Sequence, residues 1–156
     1  MAELFNTDFQ DFLRALNAAE VRYILVGGYS VVLHGYSRTT GDMDVWVEQS
    51  ADNYARLVQA FRLFGMPVFD MSEGNFLHNP TTDVFSFGRP PSAIDLMTAV
   101  KGLEFPAAFV RASFTEVDGL PVRLIDRQDL ITAKKAAGRN RDLDDLEHLP
   151  KHPPDA

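Results

Sequence analysis

Apolar residues recur along this chain in two periods, and the change from one to the other marks out its elements. Phe9, Phe12, Leu13 and Leu16 fall at the spacing of one helix face, which Asn6 or Thr7 can cap. Ile24, Leu25 and Val26 form an unbroken apolar run closed by Gly27-Gly28, the pattern of a buried strand. Tyr29 to His34 reads as one or two helical turns ended by Gly35. From Asp42 to Glu48 the pattern alternates, so Asp42, Asp44, Trp46 and Glu48 share one strand face and Met43, Val45 and Val47 the other. Asp52 is placed to cap a helix that carries Tyr54, Leu57, Val58 and Phe61 and ends near Gly65. Met66 to Phe69 is a candidate short strand, and the polar Ser72 to Thr82 a loop.

Asp83 to Phe87 is strand-like and is broken by Gly88-Arg89-Pro90-Pro91. Ala93 to Met97 is a further apolar run, interrupted only by Asp95, while Lys101 to Ala108 has no assignable pattern. Phe109 to Val117 and Pro121 to Ile125 flank Asp118-Gly119-Leu120 as a hairpin. Arg127 to Ala137 reads as a helix stopped by Gly138, and Asp142 to Leu149 as a short helix with Leu143 and Leu146 inward. Helices and strands alternate early and strands cluster later. The expectation is one α/β (α+β) domain over residues 1–150, a single mixed β-sheet with flanking helices, and a flexible proline-rich tail over 151–156.

Composition narrows the class. A chain of 156 residues with 46% hydrophobic content can bury a core as one domain. It has no cysteine, which removes disulfide frames and cysteine zinc sites. The N-terminus has no basic start or long apolar run, and no stretch is long enough to span a membrane. A cytoplasmic protein without a membrane partner is the expectation. The formal charge of −7 argues against broad, unselective nucleic-acid binding and leaves room for a local basic groove.

The chemistry concentrates between Tyr23 and Glu48. Asp42 and Asp44 lie two residues apart on one strand face, roughly 7 Å apart at the backbone, so their oxygens can converge on a hard cation such as Mg²⁺. Gly27-Gly28 lets the backbone turn sharply and approach a ligand closely. Asp95 is a carboxylate between apolar neighbours, either hydrogen-bonded in the structure or part of a site. Lys134 follows Leu130 and Ile131 onto the inward helix face, and Lys135 turns away. Arg38, just before the acidic strand, reaches either phosphate or an acid. Packing is the expectation for Trp46, and surface or packing roles for the scattered His34, His78, His148 and His152.

Val26-Gly27-Gly28 followed by Asp42-Met43-Asp44-Val45 resembles the signature of the polymerase-beta-like nucleotidyltransferase superfamily, with a gap at the long end of its range. The fuller stretch GGYSVVLHGYSRTTGDMD resembles the AbiEii/MenT-type enzymes, many of them toxins of toxin–antitoxin pairs. The resemblance implies a Mg²⁺-dependent enzyme, or one using Mn²⁺ in its place, that moves a nucleoside monophosphate from an NTP such as ATP to an acceptor hydroxyl. It implies Asp95 as a third carboxylate beside Asp42 and Asp44, binding metal and accepting the acceptor's proton. The amides of Gly27 and Gly28 and the Ser30 hydroxyl would hold phosphate oxygens; a tight turn and a helix N-cap are their plain structural roles. DLITAKKAAGRNRDLDDLEHL resembles the C-terminal motif of the AbiEii-like families, which implies Lys134 on the triphosphate with Asp142 or Asp145 as its acid. Arg139 either faces that site or is a solvated helix-end charge. Acceptors implied are tRNA or protein, with a cognate antitoxin or toxin as partner. The alternatives are an antibiotic-modifying enzyme, which the similar lincosamide nucleotidyltransferases suggest, and a non-catalytic antitoxin or binding module of the same fold.

Overall fold

The computed structural model describes residues 3–79, 83–89 and 92–151. Within them the elements run α1 (Thr7–Ala18), β1 (Tyr23–Val26), α2 (Gly27–Leu33), β2 (Met43–Val47), α3 (Ala51–Phe64), α4 (Glu73–His78) and β3 (Val84–Phe87). They continue with β4 (Ile94–Met97), α5 (Phe105–Arg111), β5 (Ser113–Val117), β6 (Leu120–Leu124), α6 (Arg127–Ala137) and α7 (Asn140–His148). The strands form one six-stranded sheet in the order β3-β4-β2-β1-β6-β5. Its inner pairs β2–β4 and β1–β6 are parallel, and β1–β2 and the two outer pairs are antiparallel. This is the mixed sheet with flanking helices that the pattern implies. Thr81, Thr82, Pro90, Pro91 and most of the expected tail lie outside the described residues.

The central strands are apolar because both faces are covered: all four residues of β1 are buried, as are Met43, Val45 and Val47 of β2. Helix α1 lays Phe9, Phe12, Leu13 and Leu16 into this core, with Phe12 edge-on to Phe61 and Phe64 of α3. Asn6, not Thr7, caps it by accepting from the Phe9 N–H at 2.8 Å. Trp46 is buried edge-on against Phe105, so it packs although it shares a face with the acids.

Several boundaries differ from the pattern reading, each for a local reason. Ser50 caps α3 by accepting from the Asn53 N–H; Asp52 sits inside the first turn and pairs with Arg22 and Arg56. Residues 66–69 form no strand. Residues 73–78 form α4 with Ser72 as its cap, and its sequence looks like loop because only Phe76 is buried. Phe109 to Arg111 belong to α5, which begins at Phe105 with Pro106 in its first turn, so the hairpin strand starts at Ser113. In α7 the leucines do not face inward: Leu143 is exposed and Leu146 half-buried, while Asp142 and Asp145 are the residues turned into the protein.

Candidate active site

Backbone register sets the acidic wall. Val26 at the end of β1 lies opposite Asp44, so the chain leaving β1 turns directly beside that carboxylate. Gly27 makes the turn at φ +71°, and a Cβ there would overlap the Asp44 carboxylate. A Cβ on Gly28 would overlap Thr40 and come within 3.4 Å of an Arg38 nitrogen. The diglycine is therefore required by close approach from two sides. Across the parallel β2–β4 pair Asp44 stands level with Asp95, so their side chains share a face about 4.8 Å apart at the backbone. Ser86 of β3 donates to the Asp95 Oδ1 at 2.6 Å. Asp42, one residue before β2, completes the wall.

The opposite wall is cationic and is built by α6, α7 and the segment before β2. Lys134 is buried, and its Nζ donates to Asp142 at 3.1 Å and Asp145 at 3.0 Å. Arg38 grips Asp145 with two hydrogen bonds, Nε at 2.8 Å and Nη2 at 3.0 Å. Arg139 Nε donates to Asp142 at 2.7 Å while most of its side chain stays exposed. Two buried carboxylates thus anchor three cations. Between the walls lies a cleft of about 530 Å³ lined by Gly27, Gly28, Arg38, Thr39, Thr40, Gly41, Asp42, Asp44, Asp95, Lys134, Arg139 and Arg141.

Burial, reinforced by Asp95 and Asp42, pushes the Asp44 carboxyl up from 3.8 to about 7, against the pull of Lys134. The acidic wall is short of positive charge. Burial also pushes Asp142 upward, but hydrogen bonds from Arg139 and Lys134 outweigh it and hold the carboxyl below its ordinary value. Asp142 is a fixed anion in a cationic cluster, whereas Asp44 is poised to take a proton or a cation.

The cleft brings together Gly27, Gly28, Arg38, Asp42, Asp44, Asp95 and Lys134. Ser30 does not join them: it is fully buried, and its hydroxyl donates to the Gly27 carbonyl at 2.6 Å, tying the first turn of α2. Asp145 reaches the cleft only through Arg38 and Lys134, and Asp142 shares that task. Thr39, Thr40, Gly41 and Arg141 also line the cleft; the polar loop before the acidic strand is the only sequence signal for the threonines. The described histidines do not line it: His34 bonds the Ile125 carbonyl, and His148 stacks on Tyr36.

Substituting Gly27 with alanine combines a strained positive φ with displacement of Asp44. The expected outcome is a chain that still folds but binds divalent cation at least tenfold more weakly, measured by calorimetry. Unchanged cation affinity would show that the glycine turn does not set the Asp44 carboxylate.

The fold is that of nucleotidyltransferases. Residues 7–149 match the family described as "Nucleotidyltransferase of unknown function (DUF6036)", and the chain belongs to that family. Solved structures share the fold at low identity. The Thermotoga maritima protein TM1012, assigned as a nucleotidyltransferase, is 14% identical with a TM-score of 0.59, covering 89% of this chain and 88% of its own. The lincosamide antibiotic adenylyltransferase LnuA, solved with lincomycin bound, is 12% identical with a TM-score of 0.59 over 95% of this chain and 98% of its own. The antibiotic-resistance factor ANT(2'')-Ia is 15% identical with a TM-score of 0.55, over 92% and 80% respectively. No curated protein matches the chain. No helix among the described residues is long and apolar enough to cross a membrane.

Proposed function

We propose that this protein transfers a nucleoside monophosphate from an NTP to an acceptor hydroxyl, releasing pyrophosphate. The observation that carries this reading is the pairing of walls: Asp44 and Asp95 on adjoining strands, with Asp42 just before the first, face three anchored cations across one cleft. The donor set fits a hard divalent cation, since it is all carboxylate and holds one member raised to about 7 by burial beside two like charges. Asp42, Asp44 and Asp95 would hold Mg²⁺ or Mn²⁺, which supplies neutralisation of triphosphate charge and polarisation of the α-phosphoryl group. Lys134, Arg38, Arg139 and the amides of Gly27 and Gly28 bind the β- and γ-phosphate oxygens. The acceptor oxygen forms a bond to the α-phosphorus as the bond to the bridging oxygen breaks. The acceptor proton passes to Asp95, and pyrophosphate leaves toward the cations.

The acceptor class follows two readings. The likeness of the glycine–acid stretch and of the α6–α7 segment to AbiEii/MenT-type enzymes supports tRNA or protein, in a bacterial toxin–antitoxin pair with a cognate partner. The near end-to-end match with lincomycin-bound LnuA supports a small antibiotic-like hydroxyl compound, and the net charge of −7 suits that acceptor better than tRNA. Incubation with each α-³²P-labelled NTP, Mg²⁺ and either total tRNA, lysate protein or a lincosamide and aminoglycoside panel separates them. Label on RNA or protein supports the first, label on an antibiotic the second. No transfer in any arm would leave a binding module of this fold.

The state of Asp44 gives a pH dependence. Below about pH 7 the raised carboxyl is protonated and an incoming cation must displace that proton; above it, none is displaced. Mg²⁺ affinity is therefore expected to rise with pH to about 7 and then level off. Calorimetry in buffers of different ionisation heat should register proton release near pH 6 that fades by about pH 8. The folded metal-free chain also holds this proton between 3.8 and about 7 while the unfolded chain loses it, so Asp44's contribution to stability falls as pH rises through that window.

A further inference from the structure

Beside the polar cleft lies a second hollow of different character. It holds about 270 Å³ and shares Gly27, Asp44, Lys134 and Arg139 with the cleft, so the two open into one another at the acidic and cationic walls. Beyond that mouth its walls are mostly apolar, with Met97, Val100, Ile125, Leu130, Ala133 and Ala137, and Lys101 and Asp142 are the charged residues among them. One side is the segment after β4; the other is the α6 stripe Leu130–Ala133–Lys134–Ala137, four residues at helical spacing. Gly102 fixes the separation. At φ +88° it brings the segment against α6, where a Cβ would lie 2.8 Å from the Ala136 Cβ. Met97, Val100, Ala133 and Ala137 keep part of their apolar surface uncovered.

We infer that this slot holds the nucleobase of the NTP. The inference rests on the reading of the cleft as a triphosphate site, and deepens it. A mostly apolar hollow opening on the phosphate-binding residues is the place where the uncharged, flat aromatic part of a nucleotide can be buried while its phosphates stay among the charges. Its volume is below that of a drug-sized pocket, which suits a single planar ring system rather than a macromolecular segment. Its position separates the two substrates: Asp44 and Lys134 line both hollows, but Asp95 lines only the cleft. The acceptor hydroxyl must reach Asp95, so the acceptor comes from the β3–β4 side and the nucleoside occupies the α6 side. Beyond the charged mouth the walls offer chiefly shape and apolar contact, with Lys101 and Asp142 as the polar groups a base edge can meet, so the base gains affinity mainly through burial.

The test compares Mg²⁺–tripolyphosphate with the four Mg²⁺–NTPs by calorimetry, on the wild type and on two variants that fill the slot from different turns of α6, Ala133→Phe and Ala137→Leu. In the wild type at least one NTP should bind about tenfold or more tightly than tripolyphosphate, the scale of about 1.4 kcal/mol. In the variants that advantage should shrink to about twofold while tripolyphosphate affinity holds, which also reports that the cleft is folded. An NTP advantage that survives in either folded variant overturns the slot. A wild type that binds tripolyphosphate and NTPs equally overturns the slot and leaves the phosphate cleft standing. A wild type that binds neither overturns the cleft reading itself, and the slot with it.

Discussion

Replacing Asp95 with asparagine is expected to slow nucleotidyl transfer by about a hundredfold to ten-thousandfold, the range for loss of a general base. Mg²⁺–NTP affinity should stay within about threefold, because Asp42, Asp44 and the cationic wall remain. Stability should not fall. The asparagine oxygen can still accept from Ser86, and removing a like charge level with Asp44 relieves a repulsion. The Asp44 carboxyl should accordingly drop from about 7 toward its ordinary value, and the pH at which Mg²⁺ affinity levels off should drop with it. Single-turnover rates on the acceptor that labelling identifies, with a melting curve and a Mg²⁺ titration, cover all three. A variant that melts early yet keeps its specific activity would make Asp95 a structural carboxylate and leave two acids at the site.

Lys134→Ala is the second large effect, on fold as well as ligand. The ammonium lies between Asp142 and Asp145, both essentially without solvent exposure, so its loss leaves two buried carboxylates under-compensated. Breaking a buried ion pair in this way costs about 3–5 kcal/mol, which in a domain of this size lowers Tm by about 10 °C. NTP affinity, measured well below that Tm, should fall about tenfold. Lys135→Ala, one position along and exposed, should change stability by no more than about 0.5 kcal/mol. Equal effects from the two substitutions would mean that the α6 cluster does not hold the charge that matters.

How much was legible in the sequence follows from where each signal resides. The glycine turn and the Asp42/Asp44 face could be read because strand period and positive-φ glycine are local properties. Asp95 showed itself as a charge in an apolar strand, and Lys134 through the phase of its helix. The α7 face did not, because leucines normally define the buried side of a helix. Here the buried side is ionic, and a partner of Asp145 is Arg38, 107 residues away. Ser30 was legible as a polar residue after two glycines, but only the three-dimensional turn shows its hydroxyl donated to Gly27. Helices α4 and α5 escaped because each is short and presents little apolar surface to the core: one buried residue in α4, and Phe105 and Ala108 in α5. The narrower AbiEii/MenT likeness rests on two motifs, and the stretch between Val47 and Asp95 carries no motif of its own.

That stretch has an evolutionary meaning once the β2–β4 pairing is considered. Asp44 and Asp95 are brought level by backbone hydrogen bonds between two neighbouring parallel strands, and the chain between them only has to leave the end of β2 and return to the start of β4. Closing such a loop depends weakly on its length. Insertions and deletions in the connections between α3, α4 and β3 leave the distance between the two acids unchanged, while α3 stays fixed by Phe61 in the core and β3 by its pairing with β4. The connections on the β3–β4 side, where the acceptor is proposed to enter, can therefore change in length and sequence while the two acids stay level, so a change of acceptor on this scaffold would need no change in the acidic wall.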